Sequence, residues 1–139
     1  MENDNSDEVN RLAYLQAAYT QQYELISNEI ATYVLTRDSL MRSAELAERI
    51  GSVENANILA GNGSIMFAAS TASIKRMMVY VGAGYVVEKS IEETKAFIEK
   101  LTKANEEAIQ KLSAEKNKIE RTLAEISYDL NALQGGAQQ

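Results

Sequence analysis

Two long stretches of apolar residues, spaced alternately three and four apart, bracket a short and nearly charge-free segment dotted with glycines. Few folds accommodate that layout. In the first stretch, from Val9 to Ile50, the seam reads Val9, Leu12, Gln16, Tyr19, Tyr23, Ile26, Ile30, Tyr33, Arg37, Leu40, Ala44 and Ala47, with only Gln16 and Arg37 polar. An unbroken alternation of this kind holds one side of a helix against a partner helix, and its heptad period implies a left-handed supercoil. Gly51 follows the last periodic residue, where helices commonly end, and Arg49 sits in the last turn beside the negative end of the dipole. The second stretch, from Ile91 to Leu133, opens on Ser90-Ile91-Glu92-Glu93, a capping box in which the Ser90 hydroxyl and the Glu93 carboxylate each serve the other's backbone amide. One seam row is Ile98, Asn105, Leu112, Ile119, Ile126 and Leu133; the alternate row is Thr102, Ile109, Lys116, Leu123 and Leu130. The seam is polar at Thr102, Asn105 and Lys116 and strongly apolar from Ile119 onward. Asn105 is read either as a residue that fixes register at a cost in stability or as a tolerated polar substitution. Glu99–Lys103 and Glu107–Lys111 have the spacing of helix-supporting ion pairs, worth about 0.2–0.5 kcal/mol each.

Arms of matched length joined by a compact middle can fold back into one antiparallel coiled coil, with both chain ends at the same tip. At about 1.5 Å per residue each arm would reach about 60 Å, which implies an elongated single folding unit. The absence of proline permits uninterrupted helices. There is no cysteine, so disulfides and thiolate chemistry are excluded, and no histidine, which removes the commonest acid–base catalyst and metal ligand. No apolar run has membrane-spanning length, and the acidic start Met1-Glu2-Asn3-Asp4 has no signal-peptide pattern, so a cytosolic protein is the default expectation. A net charge of −6 without a basic stripe argues against nucleic acid binding. Glu2, Asp4, Asp7 and Glu8 crowd the N-terminus; they suit a solvated helix start, with an acidic lip that repels anionic surfaces as the alternative. The tail Gly135-Gly136-Ala137-Gln138-Gln139 reads as disordered.

Between the arms the period changes. Asn57-Ile58-Leu59-Ala60, the turn Gly61-Asn62-Gly63 and the return Ser64 to Ala69 predict one β-hairpin. The run Ile74 to Val81, the turn Gly82-Ala83-Gly84 and Tyr85-Val86-Val87 predict a second. The fold class expected is therefore α+β: a long antiparallel helical coiled coil with two central β-hairpins. Apolar residues on both alternating sets, and strand edges guarded only by Lys75 and Lys89, leave such hairpins marginal alone and ready to pair with other chains. The segment is read as an assembly surface, with Ile58, Ile65, Phe67, Met77, Val79, Val81, Tyr85 and Val87 as its candidate interface residues. The alternative is that both hairpins merely pack on the base of their own coil. Methionines Met66, Met77 and Met78 fall in these strands, as adaptable packing.

These residues resemble the prefoldin α-type subunits. The most specific stretch is Val79-Tyr80-Val81-Gly82-Ala83-Gly84-Tyr85-Val86-Val87-Glu88-Lys89-Ser90-Ile91-Glu92-Glu93, similar to the family's second-hairpin turn running into its C-terminal helix. Leu59-Ala60-Gly61-Asn62-Gly63-Ser64 resembles the first-hairpin turn, with Leu59 where members often carry proline. Two hairpins rather than one favour the α type. The resemblance implies hairpins that join an oligomeric β-barrel body, and an ATP-independent holdase built of two α-type and four β-type subunits. Its coiled-coil tips would hold unfolded protein clients and pass them to a group II chaperonin. Tyr14, Leu15 and Tyr128 lie outside the seam near the tip and, with Val9, Leu12, Tyr19, Leu123, Ile126, Leu130 and Leu133, form the candidate client-binding set. Ordinary seam packing is the competing reading of these residues.

An enzyme is not expected: carboxylates lie mainly on solvent faces of helices, and neither glycine turn continues into a phosphate-binding loop. No metal or cofactor is expected, and neither nucleic acid nor membrane as a partner. The competing functions are a filament or scaffold former that polymerises through the same open sheet edges, and an adaptor that joins two partners through the coil.

Overall fold

The computed structural model describes residues 2–61 and 63–136. Two long helices, α1 (Glu2–Ile50) and α2 (Ile91–Gly136), enclose four strands, β1 (Asn55–Ala60), β2 (Ile65–Ser70), β3 (Arg76–Gly82) and β4 (Tyr85–Ser90). The strands form two separate antiparallel hairpins, β1–β2 and β3–β4. The chain divides into two compact units: Met1–Leu35 with Glu107–Gln139, and Thr36–Glu106, which carries both hairpins. We call them the helical unit and the hairpin unit.

Heptad periodicity accounts for the helices. Every residue of the predicted α1 seam from Val9 to Ala47 is buried or half-buried, as is every residue of both predicted α2 rows from Ile98 to Leu133. Within the helical unit the helices run antiparallel: the Gln16 amide donates to Ser127 Oγ at 3.1 Å and the Tyr23 hydroxyl donates to Glu120 Oε1 at 2.9 Å. The buried cluster there is Leu12, Ile126 and Leu130. Polar seam residues find different solutions. Gln16 is answered by Ser127, and the Lys116 ammonium sits 4.8 Å from the centre of the Tyr23 ring, a favourable cation–π contact. Thr102 donates back to the Ile98 carbonyl at 2.8 Å. Asn105 is only 6 % exposed, and its Oδ1 accepts no hydrogen bond from the described residues.

The capping box forms in both directions: the Glu93 amide donates to Ser90 Oγ at 3.1 Å and the Ser90 amide donates to Glu93 Oε2 at 2.9 Å. That backbone hydrogen bond to Ser90 holds the Glu93 carboxyl below the usual range, as the Arg11 guanidinium does for Glu8. Glu99–Lys103 and Glu107–Lys111, expected as ion pairs, are not drawn together. The helix pairs formed instead are Glu8–Arg11 and Glu45–Arg49, each at 2.6 Å, with Lys95 between Glu48 and Glu92. Exposed partners on long side chains gain too little to be held in one geometry.

Several boundaries differ from expectation. α1 begins at Glu2, within the expected helix span of 1–50 and ahead of the first seam residue Val9, because polar first turns carry helix without showing periodicity. α2 continues through Gly135 and Gly136, since glycine weakens a helix without barring it; the rest of the expected tail, 137–139, lies outside the described residues, as does Asn62 of the first turn. β3 starts at Arg76 rather than Ile74. Thr71, which is 2 % exposed, donates its hydroxyl to the Val53 carbonyl and its amide to the Glu54 carbonyl at 3.0 Å. The Ile74 amide then bonds back to the Thr71 carbonyl at 3.1 Å, which keeps Ile74 in a turn. Lys75 therefore precedes the strand instead of guarding its edge.

Candidate functional site

The hairpins present apolar surface that their own chain leaves open. In β1–β2, Ile58 pairs with Phe67 and Ala60 with Ile65 on one face; Leu59 pairs with Met66 on the other. Ile58, Leu59, Ile65, Met66 and Phe67 are all exposed, Leu59 to 65 % and Met66 to 63 %. A two-stranded ribbon with apolar side chains uncovered on both faces is a surface that another chain must cover to remove it from water. A groove of about 550 Å³ runs beside it, lined by Leu46, Ile50, Val53, Ile58, Leu59 and Ile74 among others.

The second hairpin is two-sided in a different sense. Met77 and Val79 are half-buried and line a recess shared with Leu40, Leu46, Thr94, Phe97 and Ile98 of the helices. Lys89, cross-strand partner of Met77, lies 5.3 Å from the Phe97 ring centre. Met78 and Tyr80, one residue out of step, are 70 % and 64 % exposed. The turn demands positive φ at Ala83 (50°) and Gly84 (82°), and Gly82 (107°) adjoins a register shift; the Gly84 amide donates to the Tyr80 hydroxyl at 3.2 Å. Of the candidate interface residues, Ile58, Ile65, Phe67, Val81, Tyr85 and Val87 are exposed, while Met77 and Val79 face their own helices. The exposed Leu59, Met66, Met78 and Tyr80 were missing from that set. Strict alternation about the half-buried Met77 and Val79 is the signal that could have found the last two.

The candidate client-binding residues gather in the helical unit. Leu12, Ile126 and Leu130 are buried; Val9, Leu15, Tyr19 and Leu133 pack around them, partly covered. Leu123 is half-buried. Tyr14 and Tyr128 stand out at 75 % exposure each. Among the described residues no group of three or more His, Cys, Asp or Glu side chains could hold a metal ion, and no helix is long and apolar enough to cross a membrane.

The family model described as "Prefoldin subunit" matches residues 19–136. The chain belongs to the prefoldin family. Relatives include the prefoldin subunit alpha of Pyrococcus horikoshii, 27 % identical over 133 residues, covering 94 % of this chain and 90 % of that protein. The prefoldin subunit alpha of Methanocorpusculum labreanum is 24 % identical over 134 residues, covering 95 % of this chain and 86 % of that one. Filamentous PFD from Methanocaldococcus jannaschii, solved by cryo-electron microscopy, has the same fold, with a TM-score of 0.53 at 23 % identity over 94 % of this chain and 98 % of that one. Prefoldin subunits of the α type thus provide the frame for the two hairpins and the heptad helices. The family is one of chaperone subunits that oligomerise rather than of enzymes.

Proposed function

We propose that this chain is the α-type subunit of an ATP-independent holdase, assembled with four β-type subunits and a second α-type copy through a β-barrel body. It captures non-native proteins in its helical unit and delivers them to a group II chaperonin from a cytoplasmic location. The observation that supports this most is the arrangement around Leu12, Ile126 and Leu130: a small apolar core of the helical unit, ringed by half-covered Val9, Leu15, Tyr19 and Leu133 and flanked by exposed Tyr14 and Tyr128. A two-helix cluster with three buried residues has few packed neighbours and opens at little cost. Opening uncovers adaptable apolar surface without a fixed pocket, which suits the scattered apolar segments of unfolded chains. Weak contacts on several subunits add up through avidity.

The test is deletion of residues 1–15 and 124–139 together. Aggregation suppression of a denatured client should be lost while sedimentation reports an intact assembly. Undiminished protection by the truncated assembly would move client binding elsewhere. Holding should persist in chelator and without nucleotide.

A filament is the second reading. It is favoured by the open hairpin edges and by a structural neighbour that is itself filamentous. Electron microscopy of the chain alone and with a β-type partner separates the two: closed particles only with the partner support the holdase, and fibres from the chain alone support the filament.

A further inference from the structure

All the sulfur of this chain is in methionine: there are five methionines and no cysteine, and no tryptophan competes for an oxidant. The methionines stand in unlike settings. Met77 is half-buried, whereas Met41, Met66 and Met78 are 61 %, 63 % and 70 % exposed. Met41 lies on α1 among Asp38, Arg42 and Glu45. Met66 and Met78 lie one on each hairpin. Met66 pairs across its ribbon with Leu59, and neither β1 nor β2 has a charged side chain. Met78, one residue out of step with Met77, shares its face of β3 with exposed Tyr80.

A thioether is apolar and adaptable, which suits a surface that another chain covers. Its sulfoxide is polar, with an oxygen that accepts hydrogen bonds. At Met41 that oxygen stays in water among charged side chains. At Met66 a covering chain would strip water from it beside Leu59, where only the neutral side chains of Asn57 and Ser64 are close in register. Burying a polar atom without a partner is unfavourable. Met78 stands opposite Glu88, which Arg76 joins at 3.3 Å, so a donor lies nearby and the same change costs less there.

We propose that Met66, and to a smaller degree Met78, are oxidation sites at which a peroxide decides whether the chain can assemble. A sulfur lone pair attacks one peroxide oxygen, and the S–O bond forms as the O–O bond breaks. The proton of the transferred oxygen passes to the departing hydroxide, which leaves as water; sulfur loses the two electrons that the peroxide gains. Once neighbours cover the hairpins both sulfurs are out of reach, so the modification falls on chains not yet assembled. The proposal rests on the reading of the hairpins as the assembly surface.

The test treats the full chain with millimolar hydrogen peroxide, removes the peroxide, and follows assembly by sedimentation, alone and with a β-type prefoldin subunit. Peptide mass mapping should find sulfoxide at positions 41, 66 and 78 before position 77. The midpoint concentration for assembly should rise about tenfold, with circular dichroism unchanged. Methionine sulfoxide reductases of both epimer specificities should restore it. Each variant is compared with its own untreated sample: M66L/M78L should lose the peroxide response, M66L should lose more of it than M78L, and M41L should respond as the parent does. Peroxide applied after assembly should oxidise Met41 but spare Met66 and Met78. A full peroxide response in M66L/M78L overturns the proposal, as does failure of the reductases to restore assembly. The reductase arm decides the matter if M66L/M78L does not assemble untreated. Assembly indifferent to mapped sulfoxide at both positions overturns this proposal alone, whereas absence of assembly in the untreated parent overturns the reading of the hairpins and this proposal with it.

Discussion

The two units of this molecule handle surface in opposite ways. The helical unit buries its apolar seam within the chain and carries all the net charge on its outside. The hairpin unit is electrically neutral and leaves Leu59, Met66, Met78 and Tyr80 uncovered. On the proposed reading, like charge opposes association of the helical unit with copies of itself, while apolar ribbons without net charge favour association of the hairpin unit. That reading predicts that a substitution betrays which unit it touches by whether oligomeric state or monomer stability changes.

The largest effect is expected from L59D/M66D. Both residues share one open face of β1–β2, and covering two unpaired carboxylates costs several kcal/mol. Sedimentation should show the smallest species, with far-ultraviolet circular dichroism intact. V79D should differ instructively: because Val79 faces its own helices, it should lower the melting temperature as well as disrupt assembly. If both variants behave alike, Val79 is not set apart from the open faces of the hairpins.

In the helical unit, I126A should cost about 2–4 kcal/mol by opening a cavity beside Leu12 and Leu130, read as a lower midpoint of chemical denaturation. The oligomer formed in native buffer should be unchanged. N105L should have the opposite sign. Removing a buried amide whose carbonyl oxygen accepts nothing should stabilise by about 1–2 kcal/mol, while a loss of unique helix register, seen by cross-linking, would mark Asn105 as the residue that sets it. A83G should stabilise by about 1 kcal/mol, since φ of 50° is strained for alanine and free for glycine.

The smallest effect is acid sensitivity. The folded chain holds Glu93 and Glu8 below their ordinary values, so their contribution is present above the unfolded carboxylate range and is lost as pH falls through the lowered values. Thermal midpoints should decline below the usual carboxylate range, and E93Q should flatten that decline.

Much of this was legible from spacing alone. The seam rows of both helices, the reciprocal Ser90–Glu93 cap and the existence of two hairpins all follow from local patterns that tertiary context reinforced. What stayed hidden depends on contacts distant in sequence. Met77 and Met78 look equivalent in a string and both border the recess against the helices, yet Met77 is half-buried and Met78 is 70 % exposed. The start of β3 is set by Thr71 reaching back to Val53, which no run of β-branched residues announces. The concentration of charge becomes visible only once residues 107–139 are grouped with residues 1–35.

β1–β2 and β3–β4 are separate sheets, so engaging one hairpin does not use up the other. With one neighbour per hairpin, each chain is a node with two links. Objects joined only through such nodes form closed rings or open lines and cannot branch. The angle between successive links selects ring or line, and a partner bearing a single link would end a line wherever it joined. Oligomer size is then a matter of geometry and of the ratio of two-link to one-link chains in the mixture.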